Sequence, residues 1–192
     1  MKVKEDFKRY RWFVTSTGKL VIGGKNSEQN EVLMRWIIKD NKDYIVMHTK
    51  DPGSPFSIIT ADKKNVKPTD LEECAVFTAC FSQAWKAKKK TVKVDIFTGK
   101  QVSKKKTMKR GTFGVLGKVN EKKVELVLYL TKQKGKFRAV PKTDKKILKL
   151  LPGNLDKEKT ALKISEMLKL TRIKDKQEIM QAIPAGGFKI LK

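Results

Sequence analysis

Residues 11–31 read RWFVTSTGKLVIGGKNSEQNE, and this stretch decides how the fold begins. Branched and aromatic residues stand on both sides of a short polar turn, so residues 11–24 predict a β-hairpin. Gly18 lies in that turn, where a residue without a Cβ can adopt a positive φ. The second strand ends on Gly23 and Gly24. The stretch therefore predicts a strand, a glycine pair and a helix N-terminus in succession.

Apolar residues at helical spacing predict two main helices, at about residues 27–39 and 69–86. Asn26 or Ser27 can cap the first helix with a side-chain oxygen, and Thr69 can cap the second. The second helix is apolar on most sides. It is therefore predicted to be the central buried helix of the protein.

Further strands are indicated by alternating or branched apolar runs at residues 44–48, 56–60, 91–97, 112–116, 122–130 and 136–140. From residue 143 the pattern becomes helical, and a last strand follows at 188–191. We place a boundary near residue 141, with an α+β core over 1–141 and a helical extension over 142–192. The prediction is an α+β fold, in which an antiparallel or mixed sheet packs against two main helices and carries a small helical C-terminal appendage.

Composition excludes several classes of protein. Of the 192 residues, 39% are hydrophobic, which is enough for a buried core. No apolar run approaches the roughly 18 residues of a membrane span, and the N-terminus lacks an apolar signal segment, so we expect a cytoplasmic protein that does not bind membranes. One histidine and two cysteines are too few for a structural zinc site, and we expect no metal and no cofactor. Cys74 and Cys80 fall on different faces of one helix and are expected to be buried and unpaired.

Charge is the strongest feature of the composition, because 45 Lys and Arg against 20 Asp and Glu give a net charge of +25. Solubility requires only about 2–8 charges in a small domain. The excess costs self-repulsion unless a polyanion relieves it. We therefore expect an RNA partner, with an anionic membrane as the weaker alternative. A generally lysine-rich proteome is a third explanation, and it would account for the charge without any partner.

The excess is concentrated in residues 86–110, where eleven basic residues and one acid give +10. We expect this segment to follow a phosphate backbone from a flexible loop, or else to be only a solvated loop. Lysine contacts carry little sequence information, so recognition of shape is favoured. The contacts predicted here are Lys88, Lys89, Lys104, Lys105, Lys106 and Arg110.

The glycine pair before the first helix is a second candidate site. Small residues let backbone N–H groups approach an anion, and the helix N-terminus adds partial positive charge. A plain capped turn explains the same residues, so the motif alone is weak. The contacts predicted here are Gly23, Gly24, Lys25, Gln29 and Asn30.

The single histidine opens a third candidate site, in residues 48–55. His48 can contact a phosphate or a base or carry a proton, and Asp51 can accept a hydrogen bond from it. A histidine at a strand end is also a common structural group. The contacts predicted here are His48, Lys50, Asp51, Gly53 and Ser54.

The order of these motifs resembles the NFACT-R domain, the RNA-binding module of NFACT proteins of ribosome-associated quality control. The resemblance covers most of the chain from about residue 10 and rests on residues 12–16, 18, 20–25, 29–31, 48, 51, 53–55, 82–85, 101–104, 111–113, 117–118, 152–154 and 182–187. An NFACT-N domain and coiled-coil arms are not part of the sequence. We therefore expect a stand-alone, archaeal-like member, with a separate NFACT-N-type protein as a candidate partner.

The resemblance implies contact with RNA, since full-length members hold tRNA on the large ribosomal subunit. We expect a non-catalytic RNA-binding module that contacts tRNA or rRNA in ribosome-associated quality control or RNA processing. The alternative is an RNA-modifying or metal-dependent RNA-cleaving enzyme that uses His48 and Asp51. One departure is that the family's Gly-Glu pair is replaced by residues 105–110, KKTMKR, four of which are basic, and this shifts the charge in the direction that RNA binding favours.

Overall fold

The computed structural model describes residues 3–191, which form two main antiparallel sheets around a central helix. Its strands are β1 (Arg11–Val14), β2 (Leu20–Gly23), β3 (Tyr44–Thr49), β4 (Ser57–Asp62), β5 (Thr91–Thr98), β6 (Val102–Ser103), β7 (Gly114–Val115), β8 (Asn120–Glu125), β9 (Leu128–Gln133), β10 (Lys136–Val140), β11 (Leu148–Leu155) and β12 (Phe188–Leu191). Its helices are α1 (Ser27–Lys39), α2 (Pro68–Cys80), α3 (Gln83–Lys86), α4 (Lys157–Met167) and α5 (Ile173–Ala182). The predicted α+β class is confirmed.

The first sheet has the strand order β1-β2-β4-β3-β5-β8 and begins with the predicted hairpin. Gly18 has φ +87° in the turn, as that turn requires. Helix α1 follows, and Asn26 caps it because its side chain accepts a hydrogen bond from Gln29 N at 2.9 Å. Leu33 and Ile37 on α1 are fully buried against one face of this sheet.

The second predicted helix is divided into α2 and α3 at Phe81 and Ser82. The prediction of Thr69 as its cap is wrong, because Pro68 already stands in the first turn. The N-cap is Lys67, whose backbone N–H donates to the Asp70 carboxylate at 2.8 Å. Helix α2 is buried on nearly all sides, as predicted.

Both cysteines lie in α2, buried and unpaired, as their spacing predicts. Burial raises the pKa of the Cys74 thiol, and it raises the pKa of Cys80 well above the usual range. Both thiols therefore remain protonated and behave as small apolar groups.

The second sheet has the order β10-β9-β11-β12 and corrects two predictions. The single strand predicted over 122–130 is two strands, β8 and β9, which belong to different sheets. The helical pattern predicted from residue 143 begins with a strand instead, because Leu148 and Leu150 are buried while Lys149 between them is partly exposed. Residues 142–191 are therefore a mixed segment of two strands and two helices.

The second sheet takes strands from both sides of residue 141. Its core is continuous with that of the first sheet, since Phe77 of α2 and Phe188 of β12 belong to one apolar cluster. The Gln133 amide also joins the sheets, accepting from Val14 N and donating to Val14 O, both at 2.8 Å. We infer that the second structural unit begins at β9.

Candidate nucleic-acid interface

A cleft of about 680 Å³ opens where the loops after β2 and β3 meet the segment before β7. We call it the basic cleft. Among the described residues, its walls carry five basic side chains and one carboxylate. Arg11, Lys25, Lys50, Lys86 and Arg110 supply the positive charge, and Asp95 supplies the negative charge.

Half of the predicted contact residues line the basic cleft: Gly24, Lys25, Asn30, His48, Lys50, Gly53, Ser54 and Arg110. The others lie outside it: Gly23, Gln29, Asp51, Lys88, Lys89, Lys104, Lys105 and Lys106. The structure therefore brings Gly24, the turn that follows it and most of the histidine loop into one site. It distributes most of the basic segment elsewhere.

The wall between β2 and α1 depends on a close approach at Gly24. A Cβ at Gly24 would lie 2.1 Å from Asn30 Oδ1, so a side chain does not fit there. Asn30 is buried, and its Oδ1 accepts a hydrogen bond from Phe56 N at 3.2 Å. Gln29 Oε1 accepts from Lys25 N at 3.0 Å. Asn30 and Gln29 hold the turn in shape, and the Lys25 ammonium group remains free to reach solvent.

The histidine loop is held by backbone contacts. Ser54 is buried, and its Oγ accepts from Thr49 N at 2.9 Å. Gly53 has φ +96°, and a Cβ there would meet Gln83 Cγ at 2.6 Å. Gly53 O also accepts from Gln83 N at 3.1 Å. These residues fix the loop against α3 and so set the shape of the cleft.

His48 is held neutral at the cleft wall. Burial lowers its pKa below the ordinary value, although the Thr49 carbonyl and Asp95 act in the opposite direction. Its Nδ1 lies 2.7 Å from the Thr49 carbonyl, which can only accept, so Nδ1 carries the proton. The ring packs on Phe56, with centroids 4.6 Å apart. His48 Nε2 is therefore available as a hydrogen-bond acceptor.

A second group of cations lies beside the cleft, on β5 and the loop after β3. Lys50 and Lys93 both pair with Glu121, at 3.0 and 2.7 Å. Hydrogen bonding to Glu121 raises the pKa of Lys50. Asp51 pairs with Lys89 at 3.0 Å, and both line a neighbouring pocket that Lys50 shares. Lys50 thus belongs to the basic cleft and to this pocket.

The hydrogen bonding at this wall bears on the enzyme hypothesis. His48 Nδ1 is bonded to Thr49, and the exposed Asp51 carboxylate is ion-paired with Lys89, so no hydrogen bond joins His48 to Asp51 among the described residues. Within residues 3–191, no three His, Cys, Asp or Glu residues come together as a metal site.

Of the helices in the same range, none has the length and apolar character to cross a membrane.

Lys104, Glu31 and Gly111 form a set of hydrogen bonds that we call the latch. The Lys104 side chain is only 11% exposed, and its Nζ donates to Glu31 Oε2 at 2.9 Å and to the carbonyls of Lys109 and Thr112. Glu31 also accepts from Gly111 N at 2.8 Å. Burial alone would raise the pKa of Glu31. The hydrogen bonds from Gly111, Lys104 and Arg35 outweigh burial and lower that pKa to about 2.

The latch fastens the segment 104–112 to α1 and brings Arg110 to the cleft. Arg110 also pairs with the exposed Glu28 at 3.1 Å. Lys105 and Lys106 line a separate pocket of about 250 Å³ that shares Arg110 with the basic cleft. Lys88 lies apart from these sites, with its Nζ 2.5 Å from Asn154 Oδ1.

Sequence reasoning missed several residues of the cleft. Arg11 enters it from β1, and its guanidinium lies 5.4 Å from the Phe81 ring centroid. Phe113 is half-buried, and the Lys104 ammonium group lies 4.5 Å from its ring centroid. The half-buried Phe81 stands at the break between α2 and α3, a break that the apolar pattern does not show. Only the fold brings these residues together.

The fold and the site define a small α+β module with a positively charged cleft that is partly aromatic. The chain belongs to the family described as the NFACT protein RNA binding domain, whose model matches residues 9–117.

Relatives cover the chain to different extents. The archaeal Rqc2 homolog aRqcH of Methanocaldococcus jannaschii is 31% identical over 205 residues, which cover 100% of this chain and 30% of that protein. The ribosome quality control complex subunit NEMF homolog of Drosophila melanogaster is 30% identical over 119 residues, which cover 59% of this chain and 12% of that protein. The chain thus spans less than a third of the length of either relative.

A solved structure is also similar, that of the C-terminal part of the fibronectin/fibrinogen-binding protein from Streptococcus suis. It has a TM-score of 0.51 and 25% identity, over 60% of this chain and 44% of that one.

Proposed function

We propose that this chain binds RNA through the basic cleft, and that the RNA is tRNA or rRNA handled in ribosome quality control. The observation that carries the proposal is the excess of five cations over one carboxylate around a cleft of about 680 Å³. Membership of an RNA-binding family supports it. The setting of ribosome quality control comes from one relative, the ribosome quality control complex subunit NEMF homolog of Drosophila melanogaster.

The cleft offers separate groups for the phosphates and the bases of a strand. Lys25, Lys50 and Arg110 can neutralise phosphates, because all three residues line the cleft and are exposed. Phe81 and Phe113 are half-buried rings on which an unpaired base can stack. A cleft of this volume is in the range of small-ligand sites and admits a nucleotide.

We propose binding without turnover. The enzyme alternative required His48 to act with Asp51. Asp51 lines the neighbouring pocket with Lys89, whereas His48 lines the basic cleft. In our proposal, His48 instead accepts a hydrogen bond through Nε2 from a base or a ribose hydroxyl.

The experiment that tests the proposal is a titration of the protein with tRNA over a range of salt concentrations. If each of the five cations neutralises about one phosphate, a log–log plot of affinity against salt has a slope of about −4. Affinity then falls by about 250-fold between 50 and 200 mM salt. Lys50→Gln and Arg110→Gln each reduce the steepness of that slope by about 1.

The matched control is Lys163→Gln, which removes one positive charge from an exposed position on α4, outside the cleft. It should leave the slope unchanged. A wild-type affinity that does not respond to salt would contradict the proposal. Equal effects of Lys163→Gln and Lys50→Gln would also contradict it, because net charge alone would then explain the binding.

A further inference from the structure

A small pocket adjoins the basic cleft between β1, β10 and α5. We call it the arginine pocket. The residues that matter to its chemistry are Arg11, Trp12, Lys25, Phe81 and Arg138. Arg11, Lys25 and Phe81 belong to both sites, whereas Trp12 and Arg138 line only the arginine pocket.

Its two guanidinium groups are positioned by backbone and aromatic contacts. Arg11 Nη1 donates to Gly24 O at 2.5 Å. Arg138 Nη1 donates to Phe137 O at 2.7 Å, and its Cζ lies 4.1 Å from the Trp12 ring centroid. Among residues 3–191, no carboxylate forms a salt bridge with Arg11, Lys25 or Arg138. The positive charges are therefore held in place without a salt bridge to any carboxylate of the described residues.

Two buried hydrogen-bond donors at this pocket have no acceptor among the described residues. They are Nε1 of Trp12, a residue only 2% exposed, and Nε of Arg138. A buried donor without a partner costs about 1–3 kcal/mol, so proteins retain few of them. Such donors beside clustered cations indicate a place for an acceptor that carries negative charge.

The cations also repel one another. Burial, then Arg11 and Arg138, lower the pKa of Lys25. Burial and Arg11 likewise lower the pKa of Lys157 at the start of α4. Burial lowers the pKa of Arg138, and the negative charge of Glu178 acts in the opposite direction. The oxygens of Glu178 already accept hydrogen bonds from Lys136 Nζ at 3.1 Å and Phe137 N at 2.5 Å. The cluster thus retains a net positive potential in the folded protein.

We propose that the arginine pocket binds one phosphate group through Arg11, Lys25 and Arg138. A guanidinium matches a phosphate with paired N–H donors, and the free Nε–H of Arg138 completes such a pair. The pocket holds about 30 Å³, which is the space of one or two water molecules. It therefore admits phosphoryl oxygens and excludes a nucleobase. No redox or covalent step is involved.

The phosphate group can come from an RNA strand or from a free anion. The residues shared with the basic cleft place a phosphate of a strand bound there within reach of Arg138. Assignment to RNA rests on the proposed function, whereas binding of the phosphate group itself does not.

The test follows the Nε–H resonance of Arg138 and the indole N–H resonance of Trp12 by ¹⁵N NMR. One arm titrates inorganic phosphate against chloride at constant ionic strength, and the other titrates an RNA oligonucleotide. A saturable shift in either arm supports the site. A shift with RNA alone assigns the phosphate to the strand, and a shift with both shows that the free anion also binds. No saturable shift in either arm would overturn the proposal.

The variants separate this pocket from the basic cleft. Arg138→Gln should weaken phosphate binding by about tenfold or more, since it removes a charged hydrogen-bond donor. Lys50→Gln, which lines only the cleft and its neighbouring pocket, should leave phosphate binding unchanged and weaken only RNA binding. If the protein binds phosphate but no RNA, the proposed function fails and the phosphate site stands. Unchanged phosphate affinity in Arg138→Gln would overturn the site.

A second variant keeps the test decisive if Arg138→Gln does not fold. Lys25→Gln leaves Arg138 packed on Trp12 and removes one of the mutually repelling charges. It should raise the thermal midpoint in phosphate-free buffer and weaken phosphate binding at the same time. Lys163→Gln is the matched control and should change neither quantity. A Lys25→Gln protein with unchanged stability and unchanged phosphate affinity would contradict the proposal.

Discussion

Glu31→Gln tests how the latch between α1 and the segment 104–112 supports the cleft. The substitution keeps the size of the side chain and removes its charge. The pKa of Glu31 falls from its ordinary value of 4.5 to about 2, and a tenfold change in proton affinity corresponds to about 1.4 kcal/mol. The full difference is about 3 kcal/mol, and solvent screening at this partly accessible carboxylate reduces it to about 2 kcal/mol. Glu31→Gln should lower the free energy of unfolding by that amount at pH 7.

The lowered pKa of Glu31 also determines how its contribution to stability changes with pH. A carboxylate whose pKa is lower in the folded protein contributes stability above its unfolded pKa and loses it as pH falls toward the folded value. The difference between wild type and Glu31→Gln should therefore be full at pH 7. It should decrease from about pH 5 and disappear only as the pH falls below about 2. Urea unfolding at a series of pH values measures it.

Glu28→Gln is the matched control for this prediction. Glu28 lies one turn earlier on α1 and pairs with Arg110, but both side chains are largely exposed, at 71% and 68%. Exposed pairs contribute about 0–1 kcal/mol, so this variant should unfold nearly as the wild type does. Equal destabilisation by the two variants, or a difference for Glu31→Gln that does not depend on pH, would refute the reasoning.

Three further predictions concern the cleft. Lys104→Gln should destabilise the fold by about 2 kcal/mol because it breaks a largely buried pair, whereas Lys105→Gln removes an exposed charge outside the cleft and should change neither the stability nor the salt slope of RNA binding; unfolding curves and tRNA titrations distinguish the two. Gly24→Ala should weaken tRNA binding, because its Cβ would displace Asn30 from Phe56, and normal binding would contradict this account. His48 has a lowered pKa, so tRNA affinity should not change between pH 7 and 8, while stability should fall as pH drops below about 6.5; a titration step above pH 7 assigned to His48 by NMR would argue against it.

The elements that the sequence predicts well are those with long, regular patterns. The apolar residues in 11–24 and 27–39 alternate or repeat so clearly that the sequence alone predicts the hairpin and α1. The strand at 148–155 could not, because a short apolar run with one intervening lysine fits either a helix or a strand. Sheet pairing resolved the ambiguity, since β11 lies between β9 and β12.

The candidate site also has residues that the sequence predicts and residues that it does not. The glycine pair and the histidine loop carry local signals, and the structure brings Gly24 and most of the histidine loop into one cleft. The role of Lys104 has no local signal, because its partner Glu31 lies 73 residues away in the chain. Counting lysines therefore predicts a surface for a polyanion but does not separate latch residues from exposed ones.

The central claim is that RNA occupies the basic cleft. It is tested most directly by photocrosslinking tRNA that contains 4-thiouridine to the whole protein and mapping the attached peptides by mass spectrometry. Crosslinks should fall on the segments around Phe81 and Phe113 and decrease in Arg110→Gln. Crosslinks confined to the groove between α2 and β8, where Glu72, Glu73 and Glu125 lie, would contradict the claim.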